Sequence, residues 1–584
     1  MTAESVRDIG FAAWTDPDAW MENMEGQRWR KLIKQENDRV EAFAKKTEVK
    51  NKINIYVDLI KENTNTNDFV FQSGLISILM YNAFFLDWRW NEKPSKIYSA
   101  RDVISDRSGV WFTNDIGHGS ESFQLNFMAS PNTKATWSLK PVGDKIAIDN
   151  NLCYYLSIVN RLWYNEVWSC NKLTGENKFL IYKETDPTIN LTIERAEDHK
   201  IFVIREKSQD KWYYELKNNI LKEIPDPYKY KLLGNFGIET IWDRQDLAIT
   251  KYKGQSRLIN MKTNKIFLSI PAGQIIIDPW AIHENRLSSK ILVSTPNNPI
   301  HIFMLYNKSL IKLNNPVSNL LIERNETTSA DGTIVNYVTV YKNNTIPKHL
   351  LVIGYGAYGM PTSASYARMQ WNPLLENNWG IVYTFIRGGG DHTEAWAKAG
   401  RRDGRTKTIE DYLACVKAVK TQYNLQAKDI VLYGRSAGGL LLGGAIAMEP
   451  SGNLFGGLFC EVPYVDELRT TTNPELPLTQ LEYNEFGNPI HRLIDFLSVG
   501  KLSPADSAVG LKTPNIFVYC KTAVHDSEVF TYEPVKWINR LRTGAPKGKP
   551  KLLKIDLDSG HFTSPEKVMK TYAFDCAIID SLVK

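Results

Sequence analysis

Ile430-Val431-Leu432-Tyr433-Gly434-Arg435-Ser436-Ala437-Gly438-Gly439-Leu440 decides the reading of this chain. A short apolar run leads into Gly-x-Ser-x-Gly. That order predicts a buried strand that turns sharply into a helix and exposes a serine hydroxyl at the bend. Glycines two residues before and after Ser436 let the backbone fold that tightly without a Cβ clash. The stretch from Gly438 to Met448 is almost wholly apolar, as a helix buried against a sheet should be. Its N-terminus would aim positive partial charge at an oxyanion formed when Ser436 attacks a carbonyl.

Gly-x-Ser-x-Gly also occurs in ordinary glycine-rich turns, so the partners carry the argument. They follow in the order Ser, Asp, His that an α/β-hydrolase uses. Asp526 stands in Val524-His525-Asp526-Ser527, after the strand-like Asn515-Ile516-Phe517-Val518-Tyr519. His561 stands in Asp558-Ser559-Gly560-His561, after Leu552-Leu553-Lys554-Ile555-Asp556-Leu557. Both fall at the C-terminal ends of predicted strands, where open α/β sheets place their sites.

Working outward, residues 325–584 alternate strands with helices, among them Ile409 to Tyr423, Val529 to Leu541 and Lys567 to Leu582. This predicts an α/β doubly wound domain. Residues 66–324 hold short strand-like runs separated by Asn, Asp, Gly, Pro and Lys, such as Leu152-Cys153-Tyr154-Tyr155-Leu156-Ser157-Ile158 and Ile302-Phe303-Met304-Leu305-Tyr306. Such a domain is all-β: a sandwich, a barrel or a propeller. Its length favours a propeller at roughly 40 residues per four-stranded blade. No crisp repeat gives the blade number. Residues 1–65 read as helical, with Trp29 to Lys46 free of Pro and Gly, and are expected to pack back on the α/β domain.

The 584 residues include 43% hydrophobic and 23% charged residues, ordinary values for a globular protein of more than one domain. A net charge of +6 is small for this size and gives no reason to expect nucleic acid. Six scattered cysteines (Cys153, Cys170, Cys415, Cys460, Cys520, Cys576) lack metal-ligand spacing and suggest buried free thiols in a reducing compartment. No metal or cofactor is expected. Leu75 to Leu86 is the longest apolar stretch, interrupted by Ser77 and Asn82, and is too short to span a bilayer. No basic-then-apolar signal opens the chain. The expectation is a cytoplasmic enzyme without membrane association.

The C-terminal zone resembles the prolyl oligopeptidase family of serine peptidases, and within it the oligopeptidase B branch. The matching stretches are Gly354-Tyr355-Gly356-Ala357-Tyr358-Gly359, Ile386-Arg387-Gly388-Gly389-Gly390, Gly434 to Leu440, Val462-Pro463-Tyr464-Val465-Asp466, Glu485-Phe486-Gly487-Asn488-Pro489, His525-Asp526-Ser527 and Asp558-Ser559-Gly560-His561. Asp16-Pro17-Asp18-Ala19-Trp20-Met21-Glu22 resembles the family's opening. The resemblance implies an α/β-hydrolase capped by a β-propeller that admits short peptides, in a monomer or homodimer. It makes Ser436 the nucleophile, His561 the base and then acid, and Asp526 the group that orients His561. It assigns the oxyanion hole to the Tyr355 hydroxyl and the Ala437 N–H.

The branch cleaves after Arg or Lys, and Glu482 falls on one of its two acidic positions; the other is Asn484. Ser363 and Ser365 stand where the branch often has aspartates that favour a second basic residue, so a dibasic preference is not expected. Two further departures flank the triad: Arg435 where the nearest relatives have glycine, and Glu528 where the family often has Arg or Gln. The central zone is shorter than the family's usual propeller, consistent with a missing or trimmed blade. An esterase of the same fold would share the triad without needing the β domain or the Arg387-Gly388-Gly389-Gly390 match. A prolyl-specific peptidase and an idle propeller–hydrolase scaffold are the remaining alternatives.

Overall fold

The computed structural model describes residues 6–583 except 65–70, 81–85, 92–95, 117–121, 132, 161–162, 208–209, 228–236, 243–244, 285, 307–308, 315–317, 363, 365–369, 510–513 and 564. Its C-terminal part is built on one eight-stranded sheet. The strands are β1 (Leu320–Thr328), β2 (Ile334–Lys342), β3 (His349–Ile353), β4 (Trp379–Phe385), β5 (Ile430–Arg435), β6 (Gly457–Glu461), β7 (Phe517–Ala523) and β8 (Lys551–Asp556). They lie in the order β1-β2-β4-β3-β5-β6-β7-β8. β1, β2 and β4 pair antiparallel, and every pair from β4 through β8 is parallel. β4, β6 and β7 are buried along their whole length, which explains why they read as continuous apolar runs. The order reverses at β3 and β5, and the crevice that such a reversal opens at the strand ends is where this architecture binds ligands. Ser436 follows β5 directly.

Two helices, α1 (Gln27–Ala44) and α2 (Thr47–Thr64), precede the β region; α1 packs on β8 of the hydrolase sheet and α2 packs on the C-terminal helix Pro565–Leu582. Asn37 of α1 closes the free edge of β8: its Nδ2 donates to the Ile555 carbonyl and its Oδ1 accepts the Ile555 N–H, both at 2.9 Å. Those bonds satisfy an edge that would otherwise be open to pairing. The Tyr56 hydroxyl donates to Asp580 at 2.9 Å. The segment before α1 is held by charge. The Lys536 ammonium, wholly buried, lies 2.7–2.8 Å from carboxylates of Asp16, Glu22 and Asp466. Arg540 adds bonds to Asp16 and Asp18 at 2.6 and 2.9 Å. Asp16, Glu22 and Asp466 are close enough together to hold a cation. The lysine is that cation.

Between these parts lie six four-stranded antiparallel meanders among the described residues, spanning 71–100, 102–142, 146–183, 190–224, 237–270 and 274–312. This is a β-propeller, and the sheet count supplies the blade number that turn spacing alone left open. The last meander meets the first through a short helix, Pro279–His283, whose Trp280 ring packs on Phe71 at 6.0 Å. The Trp280 indole N–H donates to the Val103 carbonyl of the second meander at 2.9 Å. The propeller touches the hydrolase part at Gly254, whose N–H donates to the Asp391 carbonyl at 2.7 Å. A Cβ there would lie 2.2 Å from the Phe385 ring, so the contact tolerates only glycine. The apolar stretch from Leu75 to Leu86 forms propeller strand over Ile76–Met80. Among the described residues no helix is long and apolar enough to cross a membrane.

Candidate active site

The bend after β5 has the strain expected of an elbow. Ser436 has φ +53°, a left-handed value that an L-residue adopts only when its surroundings hold it there. Its N–H donates to the Glu461 carbonyl at 3.0 Å, and its carbonyl accepts from the N–H groups of Gly439 and Tyr464 at 2.8 and 2.9 Å. A Cβ on Gly434 would stand 2.5 Å from the Gly438 carbonyl oxygen, and one on Gly439 2.7 Å from the Tyr464 carbonyl oxygen. The helix Gly438–Met448 starts two residues beyond the serine, so the Ala437 N–H lies at its positive end.

Asp526 and His561 come together on loops after β7 and β8. His561 Nδ1 and Asp526 Oδ2 are 2.9 Å apart, and both side chains are buried. The other carboxylate oxygen of Asp526 accepts the N–H groups of Glu528 and Val529 at 3.0 and 2.9 Å. Asp526 is thus fixed by its own loop before it meets the imidazole. Burial alone would lower the His561 pKa. The carboxylates of Asp526 and Glu528 outweigh that effect and hold it above the ordinary value, with Arg435 opposing them.

Tyr355 sits on the loop after β3, and its ring edge is 3.8 Å from where a Cβ on Gly438 would be. Burial, with Glu528 adding to it, keeps its phenol well above the usual range, so the hydroxyl remains a donor. This loop rests on Arg387-Gly388-Gly389-Gly390. A Cβ on Gly388 would lie 2.1 Å from the Gly356 carbonyl oxygen, and one on Gly390 2.0 Å from that of Gly359. Arg387 is locked in turn by Asp411, with Nη2–Oδ1 at 2.6 Å and Nε–Oδ2 at 2.9 Å. The motif is a scaffold for the Tyr355 loop.

Glu482 lies on the helix Thr479–Phe486 beside an apolar cluster of Ala357, Ala437, Leu440, Tyr464, Phe486 and Val529, against which Tyr355 and Tyr358 pack. The Tyr358 hydroxyl donates to its carboxyl group. Burial pushes the Glu482 pKa up to about 8; the Tyr358 bond opposes this, while Glu528, Glu485 and Glu467 add to it. Glu485 is committed elsewhere, to Arg401 and Arg405 at 3.0 and 3.4 Å, and Asn484 accepts from Arg402 at 3.2 Å. Ser363 and Ser365 lie outside the described residues.

Four neighbours of the site received no role from the motifs. Glu528 Oε2 stands 3.3 Å from His561 Nε2. Phe562, next to His561, lies between two guanidinium groups: Arg435 at 4.5 Å and Arg101 at 5.0 Å from the ring centroid. Arg435 also donates to the His561 carbonyl. Arg101 comes from the propeller, so both parts of the molecule meet on the histidine loop. The departures at 435 and 528 were the available signal; nothing in sequence pointed to Arg101.

Residues 366–580 match the prolyl oligopeptidase family. The chain is 29% identical over 264 residues to Protease 2 of Moraxella lacunata, and 32% identical over 217 residues to dipeptidyl aminopeptidase BI of Pseudoxanthomonas mexicana. These stretches cover 44% and 36% of this chain, but only 37% and 28% of the two relatives. Oligopeptidase B from Leishmania major superposes with a TM-score of 0.81 over 98% of this chain and 94% of its own, at 18% identity, a likeness of fold. With the elbow and the histidine loop in view, the family match falls on the α/β-hydrolase domain, which is similar to that of the prolyl oligopeptidase family.

Proposed function

We propose that this chain is a serine oligopeptidase that cuts short peptides after Arg or Lys. The observation that carries the reading is the buried His561–Asp526 pair at 2.9 Å, on loops beside a strained Ser436 at the head of a buried helix. Ser436 is the nucleophile. His561 takes its proton and returns it to the leaving amine, and Asp526 fixes the imidazole tautomer and stabilises the imidazolium. The Tyr355 hydroxyl and the Ala437 N–H bind the oxyanion, where charge develops in the transition state. Glu482 receives the basic side chain: a carboxyl beside an apolar aromatic wall fits the alkyl stem and charged head of Arg or Lys. The propeller over the site restricts substrates to short peptides. All six cysteines are free and buried, which fits a reducing compartment such as the cytoplasm.

The test is labelling with a fluorophosphonate, followed by a panel of aminoacyl-coumarin substrates and an intact folded protein. Labelling that is lost in Ser436→Ala, with cleavage after Arg and an undigested folded protein, is expected. An unlabelled wild type would make the chain an idle scaffold. Cleavage of esters but no amides would make it an esterase, and proline preferred before the cut would place it with the prolyl-specific enzymes.

A further inference from the structure

Both nitrogens of His561 face carboxylates: Nδ1 is 2.9 Å from Asp526 and Nε2 is 3.3 Å from Glu528. The second contact is at odds with base catalysis. A triad needs a free lone pair on Nε2 to take the serine proton. An imidazole flanked by two carboxylates is held as the imidazolium, a donor on both sides. Among the described residues no hydrogen bond joins Ser436 Oγ to His561. Glu528 is nevertheless no core residue. Its backbone N–H is anchored on Asp526, while its side chain keeps 27% of its surface exposed. Among the charged and titratable groups around it are Arg435 at the end of β5, Tyr355 on the loop after β3, and Glu482 on the helix Thr479–Phe486. Arg435 is engaged by the His561 carbonyl and the Phe562 ring. A substrate cation arriving beside Glu482 therefore comes within the field of a second carboxylate, the one that occupies the base.

We propose that Glu528 is a latch on His561: it pairs with Nε2 in the empty enzyme, and a cationic group of the bound peptide draws it away, freeing Nε2 for Ser436. This rests on the triad reading above. The cation is either the side chain of the residue before the cut or a free α-ammonium group close to it. The charge of the substrate then does more than add affinity, because it also releases the base. Glu528 acts through His561 and is a positioning residue.

The wild type gives one test without any substitution. The acid limb of kcat reports His561 in the enzyme–substrate complex, and that of kcat/KM reports it in the free enzyme. With a blocked arginyl amide, the kcat limb should lie about one pH unit below that seen with a blocked neutral amide, since an opposite charge within ~4–6 Å shifts a pKa by roughly 1–3 units. An unblocked neutral dipeptidyl amide tells the two cations apart. If its limb follows that of the arginyl substrate, the α-ammonium is the key; if it follows the blocked neutral one, the side chain is.

Glu528→Gln keeps the shape and removes the charge. It should move the acid limb of kcat/KM about one unit lower for all substrates. It should also speed fluorophosphonate labelling at pH 6 several-fold and shrink the arginyl-to-neutral ratio of kcat. Failure of the wild type to label at all would refute the triad reading, independently of the latch. With labelling intact, coincident kcat limbs for all wild-type substrates, or an unmoved kcat/KM limb in Glu528→Gln, would overturn the latch.

Discussion

Substitution of Glu482 by Gln tests the proposed specificity most directly, because the structure gives the carboxyl an unusual starting state. With a pKa of about 8 in the empty site, Glu482 is ionised in roughly one molecule in ten at pH 7. Pairing it with a guanidinium at that pH first costs about 1.4 kcal/mol, one pH unit's worth. At pH 9 the cost has almost gone. The ratio of kcat/KM for an arginyl over a neutral substrate should therefore rise about tenfold from pH 7 to pH 9, and taking the ratio cancels the His561 titration common to both. Removing the carboxylate should cost on the order of 2–5 kcal/mol of arginyl selectivity where it is fully charged, at least ~30-fold at pH 9. The loss should be about tenfold smaller at pH 7. The assay is steady-state cleavage of paired coumarin substrates, wild type against variant, from pH 6.5 to 9.5. A wild-type ratio that is flat with pH, or a variant that keeps the arginyl preference at pH 9, would refute the assignment. Stability should follow with a definite sign. Because the folded pKa lies above the ordinary 4.5, the native state holds the extra proton between these values, so Glu482 weakens the fold as pH rises through that window. Glu482→Gln should accordingly gain thermal stability over wild type at pH 9 and show no such gain at pH 4.

The other predictions concern the machinery and its support. Ser436→Ala should lose roughly 10⁶ of turnover and Asp526→Asn roughly 10⁴, with melting temperatures near wild type; more than a few per cent residual activity in purified Ser436→Ala would remove it as nucleophile. Tyr355→Phe should raise the barrier by roughly 2.7–4 kcal/mol, seen in kcat and hardly in KM, and an unchanged kcat would place the oxyanion donor elsewhere. Lys536→Met should destabilise the fold by about 3–5 kcal/mol in denaturant unfolding, because Asp16, Glu22 and Asp466 would be left close together without their shared cation. An unchanged midpoint would show that these charges do not hold the N-terminal segment.

Much of the site was legible in sequence because its constraints are local. An elbow needs glycines close to a strained serine, so Gly434, Ser436 and Gly438 declare it within five residues. Asp526 and His561 declare themselves by position at strand ends, since a parallel sheet delivers every strand end to the same rim. The propeller was legible as a class from runs of short strands, while the six blades seen among the described residues were not, because turns written in Asn, Asp, Lys and Gly carry no common motif from blade to blade.

What tertiary structure alone decided are contacts between residues far apart in the chain. Asp16, Glu22 and Asp466 become one acidic cluster only around the buried Lys536, and three carboxylates that could have been taken for a metal site prove to be filled by an ammonium group. Arg101 reaches Phe562 across more than four hundred residues because the propeller sits over the histidine loop. Glu528 is two residues from Asp526, yet which nitrogen its carboxylate meets depends on how the loops after β7 and β8 lie against each other. Sequence states which side chains are charged and where strands end. Distance, burial and shared partners set what those charges do, and they exist only once the chain has closed around them.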